Sequence, residues 1–455
     1  MMANRSELAR ARARPIGIDL FSGAGGMSLG FEQAGFDVVA AVEKDPIHAA
    51  THEFNFPRCA VFARDISRVT GAELRFAAGI GNRTVDVVFG GAPCQGFSLI
   101  GHRILDDPRN GLVREFVRIV RELEPRAFVF ENVKGLTVGG HRRFLDELVS
   151  AFVAAGYEVR QPWKVLNAVE YGVPQSRQRL FLMGVRRGER CPSYPTPSTR
   201  RAGKGASLDA PPGPSCEDAL GDLPDAERFA ELTDSDAVRL DAAEWGEPSA
   251  YARLARCFAD DAWFFGHPRV WDATMLTSSM RTEHTTISRR RFAETKGGEV
   301  EPISRLFKLP ADGASNTLRA GTDAERGAFT SPRPIHFALP RLVTVREMAR
   351  LHGFPDWFRF HATKWHGARQ IGNAVPPPLA RAVASSVMAA LGAKPVRCSE
   401  GMQLGDPAIL TMGMEEAASH FGEPVVIGRR TIKSGARKRK QQEIEAARLV
   451  AVSNG

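Results

Sequence analysis

Pro15-Ile16-Gly17-Ile18-Asp19-Leu20-Phe21-Ser22-Gly23-Ala24-Gly25-Gly26 opens as a short apolar run and breaks into a glycine-rich turn, and a helical pattern from Met27 to Ala34 follows it. Such a run, bounded by a turn, reads as a strand buried on both faces. The same texture returns in DVVAAVE, VDVVFGG and AFVFENV. Between these runs, Leu112, Val113, Phe116, Val117, Val120 and Leu123 share one face at helical spacing, as do Leu145, Leu148, Phe152 and Val153, with Gly156 placed to cap the second helix. Strands alternating with amphipathic helices give an α/β fold with a Rossmann-like parallel sheet over residues 15–190.

After Arg190 the stretch PSYPTPSTRRAGKGASLDAPPGPS marks a boundary by its Pro, Ser and Gly content. Residues 191–340 show little periodicity and read as a second, smaller domain. Helical patterning resumes in RLVTVREMARLHGF and PPPLARAVASSVMAALG, so 341–392 returns to the first domain; residues 1–14 and 393–455 are left as flexible terminal extensions. Trp245, Trp263, Phe264, Phe265 and Trp271 are expected to form the smaller domain's own core.

The chain has 455 residues, a net charge of +9 and no apolar run long enough to cross a membrane, so a polyanionic partner fits and a membrane does not. Its six cysteines lack CxxC spacing, and His352, His361 and His366 have no acidic or thiol partner at ligand spacing. No disulfide framework and no metal is expected.

The glycines of the first turn let a ligand approach the backbone closely. Their spacing departs from G-x-G-x-x-G, which disfavours a dinucleotide pyrophosphate. Glu43 ends the second strand, where a carboxylate accepts hydrogen bonds from both hydroxyls of a ribose. An adenosine-type ligand without phosphates follows, although a tight structural turn is the plain alternative. Asp65, near another strand end, could meet an adenine amino group or simply cap a helix.

Cys94 lies just beyond the run Val85–Gly91, followed by a polar, Gly-containing loop through Asn110 that could close over a substrate. A lone cysteine is often a small buried hydrophobe. Here a regular right-handed connection brings Glu131, at the end of AFVFENV, to the same sheet edge. Thiol and carboxyl together suit a pyrimidine, whose C5 becomes nucleophilic once C6 accepts a thiolate and N3 a proton. Arg177 and Arg179 alternate onto one strand face, able to grip a base oxygen and a phosphate or to sit on an edge strand's surface.

In this order DLFSGAGG, Glu43, GGAPCQGFS, ENV, QSRQR and RQIGNAVPPPLARAV resemble the DNA (cytosine-5) methyltransferase family, over residues 15–190 and 340–392. The resemblance implies an S-adenosyl-L-methionine-dependent sheet with an inserted target-recognition domain at 191–340. It implies that Cys94 attacks C6, that Glu131 protonates N3, and that Arg177 and Arg179 hold the cytosine. Asp19, Phe21, Gly23, Gly25, Gly26, Glu43, Asp65 and Pro93 match cofactor-lining positions, with Asn373 and Ala374 of the late motif closing the site. The late helix must then pack beside the first motif.

Double-stranded DNA is the implied partner, with the target base flipped out of the stack. Gln95, Ser98, Arg281, Thr282, Arg289, Arg290, Thr317 and Arg319 are the candidate DNA contacts, most arginines serving phosphate rather than base. A cytoplasmic bacterial protein at the nucleoid is implied, monomeric because one chain holds every motif. It would protect DNA in a restriction-modification system, beside an endonuclease that acts on the same site without a stable complex. Two alternatives stay open. One is a transfer-RNA-directed relative, disfavoured because Cys257-Phe258-Ala259-Asp260 lacks that branch's threonine; the other is a silent DNA-binding protein, disfavoured by intact Cys94, Glu131 and Arg179.

Overall fold

The computed structural model describes residues 14–93, 111–137, 141–200, 209–322 and 331–424. Eight strands form one sheet: β1 Ile16–Leu20, β2 Asp37–Val42, β3 Ala60–Phe62, β4 Val87–Gly91, β5 Ala127–Val133, β6 Tyr157–Val159, β7 Lys164–Asn167 and β8 Gln178–Arg186. Their order is β3-β2-β1-β4-β5-β8-β6, with β7 also on β8; β1 to β5 run parallel and β8 is antiparallel to β5, β6 and β7. The chain leaves β1 in one direction and returns on its other side as β4. The crevice at the carboxyl ends of β1 and β4 is therefore the sheet's topological switch point, where open α/β sheets bind ligands.

Alternation within each strand divides the core. Ile16, Ile18, Leu20, Val88, Phe128 and Phe130 face a layer that contains helices α3 (Gly71–Ala77), α4 (Gly111–Leu123) and α5 (His141–Ala154). Val87, Phe89, Ala127 and Val129 face the opposite layer, with α1 (Gly26–Gln33) and the late helix Pro377–Ala390. These two helices pack together, and Gly30 makes that possible: a Cβ there would fall 2.4 Å from Ala380 Cβ. The late motif thus lies beside the first one. Among the described residues no helix is long and apolar enough to cross a membrane.

Several expectations need correction. Val153 is 42% exposed and leaves the α5 core face to Phe144, Leu145, Leu148 and Phe152. β8 is interior to the sheet, so Arg179 does not lie on an edge strand. Trp263 and Trp271 join the large core, Trp263 stacking on Trp357, while Trp245 packs against the small cluster of Ala226, Phe229, Leu232, Leu240 and Leu276. Buried Arg269 fastens this part of the middle segment to α1 through a bidentate pair with Glu32, 2.9 Å on each arm.

Residues expected in both terminal extensions belong to the packed body. Buried Arg14 pairs with Asp37 at 2.6 Å and donates to the carbonyls of Phe265 and Val396. Residues 393–424 pack against the body: Met402–Gln403 pairs with Arg269–Val270, Ile409 and Leu410 meet Ala50 and Phe54, and Glu423 meets Arg64 at 2.6 Å. Hydropathy periodicity does not report such a segment, because short strands, a 3-10 turn and ion pairs hold it.

Candidate active site

The glycine turn is built from backbone conformations that side chains resist. Gly23 has φ 55° and Gly25 φ 102° as the residue before α1. Phe21 is held at φ 61°, a conformation that costs a bulky residue roughly 1–3 kcal/mol and is retained where the surroundings enforce it. Glu43, at the end of β2, accepts from Gly23 N at 2.8 Å and from Asp45 N at 2.9 Å. Burial raises its proton affinity. One carboxylate therefore fixes both the turn and its own orientation at the switch point.

The late motif closes the turn's other side. A Cβ on Gly26 would lie 2.6 Å from Val375 O and 3.0 Å from Ala374 Cβ, while Asn373 is exposed. Asp65 lies three residues past β3, capping the turn Ile66–Arg68 through Ser67 N at 3.1 Å and pairing with Lys44 at 2.9 Å. The capping role is thus realised, and Lys44 links Asp65 to the chain next to Glu43.

Across the crevice β4 ends at Gly91, whose register partner on β5 is Glu131. Glu131 is buried, and Arg179 Nε holds its Oε1 at 2.8 Å. Burial raises the carboxyl's proton affinity against the opposing pull of Arg179 and Arg177. Gly91 provides the space: a Cβ there would meet Glu131 Oε2 at 2.3 Å. Asn132 Nδ2 donates to Ala92 O at 3.1 Å, fixing the chain where it reaches exposed Pro93. Cys94, Gln95 and Ser98 lie outside the described residues.

Arg177 and Arg179 do different work despite their alternation. Arg177 is fully buried, its Nη1 donating to Leu318 O at 2.9 Å and its Nη2 to Gly372 O at 2.7 Å and Ala374 O at 2.8 Å. It therefore joins the QSRQR segment to the late motif and to the middle segment. Gln175 and His352 complete this joint, and the sequence reading gave neither a role in it. Gln175 Oε1 accepts from Leu318 N, and its Nε2 donates to Leu351 O and to His352 Nδ1 at 3.0 Å. Burial keeps His352 neutral, so its Nε2–H donates to Ala374 O at 3.1 Å. The visible signal was only the motif's first glutamine.

The middle-segment candidates are dispersed. Arg289 forms a bidentate pair with Glu227 at 2.7 and 2.8 Å, and Arg281 donates to Glu227 O. Thr282 accepts from Arg333, and Arg290 pairs with Glu294 on an exposed helix face. Thr317 and Arg319 are exposed beside the catalytic edge, Thr317 Oγ1 donating to Ser176 O at 2.7 Å.

A doubly wound α/β sheet that gathers a glycine turn, the Glu43 carboxyl and buried Glu131 at the carboxyl ends of its parallel strands has the architecture in which open α/β sheets bind ligands. The sequence profile of C-5 cytosine-specific DNA methylases matches residues 17–389. The chain belongs to the C-5 cytosine-specific DNA methylase family. It is 55% identical over 438 residues to the Type II methyltransferase M.XorII of Xanthomonas oryzae pv. oryzae, covering 95% of this chain and 100% of that protein. It is 32% identical to the Type II methyltransferase M1.HphI of Haemophilus parahaemolyticus, over 82% of this chain and 86% of that one. Among solved structures, one described as a prophage-encoded DNA modification methyltransferase of E. coli superposes with a TM-score of 0.67 at 32% identity, covering 83% of this chain and 99% of that chain.

Proposed function

We propose that this DNA (cytosine-5) methyltransferase takes its methyl group from S-adenosyl-L-methionine and acts on a flipped-out cytosine in duplex DNA. The observation that carries this reading is Glu131, buried beside Gly91 and held by Arg179 near the carboxyl end of β5, in the same parallel sheet whose β1 ends in the glycine turn. The residues present suit the cofactor. Glu43 offers a carboxylate to the ribose, the turn from Phe21 to Gly26 presents backbone at close range, and Asp19, beneath it, keeps one buried carboxyl oxygen without a hydrogen-bond partner among the described residues. Bound there, the cofactor supplies an electrophilic methyl carbon.

The chain's own residues do the rest. Cys94 adds as thiolate to C6 of the cytosine while Glu131, whose burial raises its proton affinity, delivers a proton to N3. The electron pair gathers at C5, which takes the methyl group. Loss of the C5 proton to solvent, return of the N3 proton to Glu131 and expulsion of the Cys94 thiolate restore the ring. Arg179 orients Glu131 and offers its remaining donors to the base. Arg177 is a positioning residue, because backbone carbonyls occupy its terminal nitrogens. Asp65, Pro93, Asn373 and Ala374 line the cofactor, while Gln95, Ser98, Thr317 and Arg319 border the DNA.

We assign the protein to the modification side of a restriction-modification system, as a monomer in the bacterial cytoplasm, with an endonuclease sharing its site but not its surface. The test is transfer of labelled methyl from S-adenosyl-methionine to duplex DNA, abolished in Cys94→Ser while cofactor binding persists. Label appearing in transfer RNA but not in DNA overturns the substrate assignment. Covalent trapping on DNA containing 5-fluorocytosine that persists in Cys94→Ala overturns the nucleophile.

A further inference from the structure

Beneath the glycine turn lies a polar chain that the methyl-transfer steps do not use. Asp19 is the penultimate residue of β1, 1% exposed, on the sheet face covered by α1 and by α2 (Pro46–Asn55). Ser28 Oγ on α1 donates to Asp19 Oδ2 at 2.6 Å and lies 3.0 Å from His52 Nε2 on α2. Ser28 and His52 are themselves fully buried. Asp19 Oδ1 and His52 Nδ1 have no partner among the described residues. The chain touches the turn directly, since a Cβ on Gly25 would sit 3.0 Å from His52 Cδ2.

The charge balance around Asp19 is what makes this chain unusual. From β2 it faces the Glu43 carboxyl and beyond α2 the Cys59 thiol, which Glu32 of α1 also faces, while His52 of α2 reaches it through Ser28. Glu32 is already neutralised by Arg269. No lysine or arginine pairs with Asp19 among the described residues. A buried carboxylate with no cationic partner, held only by the hydroxyl and backbone N–H of Ser28, is too costly to keep ionised, so the acid holds its proton. Burial accordingly pushes Asp19 up to about 8 and His52 down to about 3.

We infer that Asp19 is a neutral buried acid that the cationic methyl donor ionises on binding, so that cofactor binding expels one proton to solvent, with Ser28 and His52 as the residues that position the carboxyl beneath the turn. This rests on the S-adenosyl-methionine reading. A sulfonium and an ammonium delivered to the turn provide the counter-charge that the folded protein lacks. The carboxyl O–H bond breaks, the electron pair stays on Asp19, and the proton leaves to buffer. Cofactor affinity then rises with pH until Asp19 is already ionised in the free protein.

The experiment is calorimetric titration of the full-length protein with S-adenosyl-methionine in two buffers of different ionisation enthalpy. Near pH 7 wild type is expected to release about one proton per cofactor, and near pH 9.5 a small fraction of that. Asp19→Asn binds with no proton release on this group's account, and Ser28→Ala, which removes the hydroxyl's hydrogen bond to the carboxylate, keeps the release to higher pH. Glu43→Gln, if it binds, still releases. Cofactor binding by wild type with no proton exchange at either pH overturns the inference and leaves the cofactor reading intact, as does release undiminished in Asp19→Asn or lost only in Glu43→Gln. Failure of wild type to bind S-adenosyl-methionine overturns the cofactor reading instead. Should Asp19→Asn fail to fold, the wild-type and Ser28→Ala pH series decide.

Discussion

The catalytic edge and the middle segment use arginine in opposite ways. At the edge, Arg177 and Arg179 are two residues apart in sequence, yet one ties three carbonyls from distant segments together and the other holds the Glu131 carboxyl. In the middle segment, three consecutive arginines each meet an acid of the protein itself: Arg289 with Glu227, Arg290 with Glu294 and Arg291 with Glu301. A positive charge in a candidate DNA-reading segment is therefore weak evidence for a DNA contact. What matters is whether the cation is already neutralised and how far from water that has happened. Buried pairs hold shape, and exposed pairs can exchange partners when a polyanion arrives.

The largest expected effect breaks the edge. Glu131→Gln keeps the size of the side chain and most of its hydrogen bonding to Arg179 but removes the acid, so kcat should fall roughly 10²–10⁴-fold with cofactor binding little changed. The wild-type pH profile carries a matching sign. Because burial raises the carboxyl's proton affinity, the protonated acid persists to higher pH than for an exposed glutamate, and kcat declines as pH rises through that raised value. The glutamine variant should lack this limb. Measuring kcat against pH for both enzymes checks the assignment, and an unchanged alkaline limb in the variant removes Glu131 from the proton transfer.

A smaller effect on the same edge comes from Gly91→Ala. The added methyl would occupy the space 2.3 Å from Glu131 Oε2, so the carboxylate must turn away from the base. A displacement of about 1 Å costs up to about 10²-fold in rate, and the loss should appear in kcat rather than in affinity for DNA. Equal kcat in the variant means that Glu131 adopts another orientation when DNA is bound.

Much of this edge was legible because its chemistry is contiguous. DLFSGAGG, PCQ, ENV and QSRQR each place a reactive group next to the turn or strand end that holds it, and hydropathy alone locates those strand ends. The joint between Gln175, Arg177, His352 and Leu318 was not legible, since its hydrogen bonds span up to 197 residues and use backbone carbonyls, which every sequence has. Gly91 was visible as a glycine but not as the seat of Glu131, because that depends on β4–β5 register. In the middle segment, residues 263–271 read as part of a separate domain, yet Trp263 and Arg269 bind the large body through Trp357 and Glu32. Partners so distant leave no local pattern.

The paired arginines of the middle segment can be separated from DNA-contacting ones by moderate changes. Arg289→Ala removes a bidentate pair whose members are about one-quarter to one-third exposed, so unfolding should become easier by less than about 1 kcal/mol. If the pair is structural, the recognition sequence stays the same and the salt dependence of DNA binding barely moves. Releasing the arginine instead, by Glu227→Gln, should strengthen binding to every sequence alike and steepen the salt dependence by up to about one unit of log K against log salt. Loss of discrimination between sites in Arg289→Ala would mean that the pair opens on DNA and reads a base.

The smallest effect tests the contrast most finely. Arg290 is 80% exposed and its partner Glu294, one helical turn away, is 62% exposed, so their mutual attraction is screened and contributes little to stability. Arg290→Ala should leave the melting temperature unchanged. If Arg290 meets a phosphate, affinity falls by a similar factor for all duplexes and the salt slope decreases by about one, because one fewer counterion is released on binding. Filter-binding isotherms at several salt concentrations, on the methylation site and on an unrelated duplex, separate the outcomes. A fall confined to the methylation site makes Arg290 a base reader, and no fall on either duplex leaves it a solvated charge, which would place the DNA-facing surface nearer to Thr317 and Arg319, beside the strand that carries Arg179.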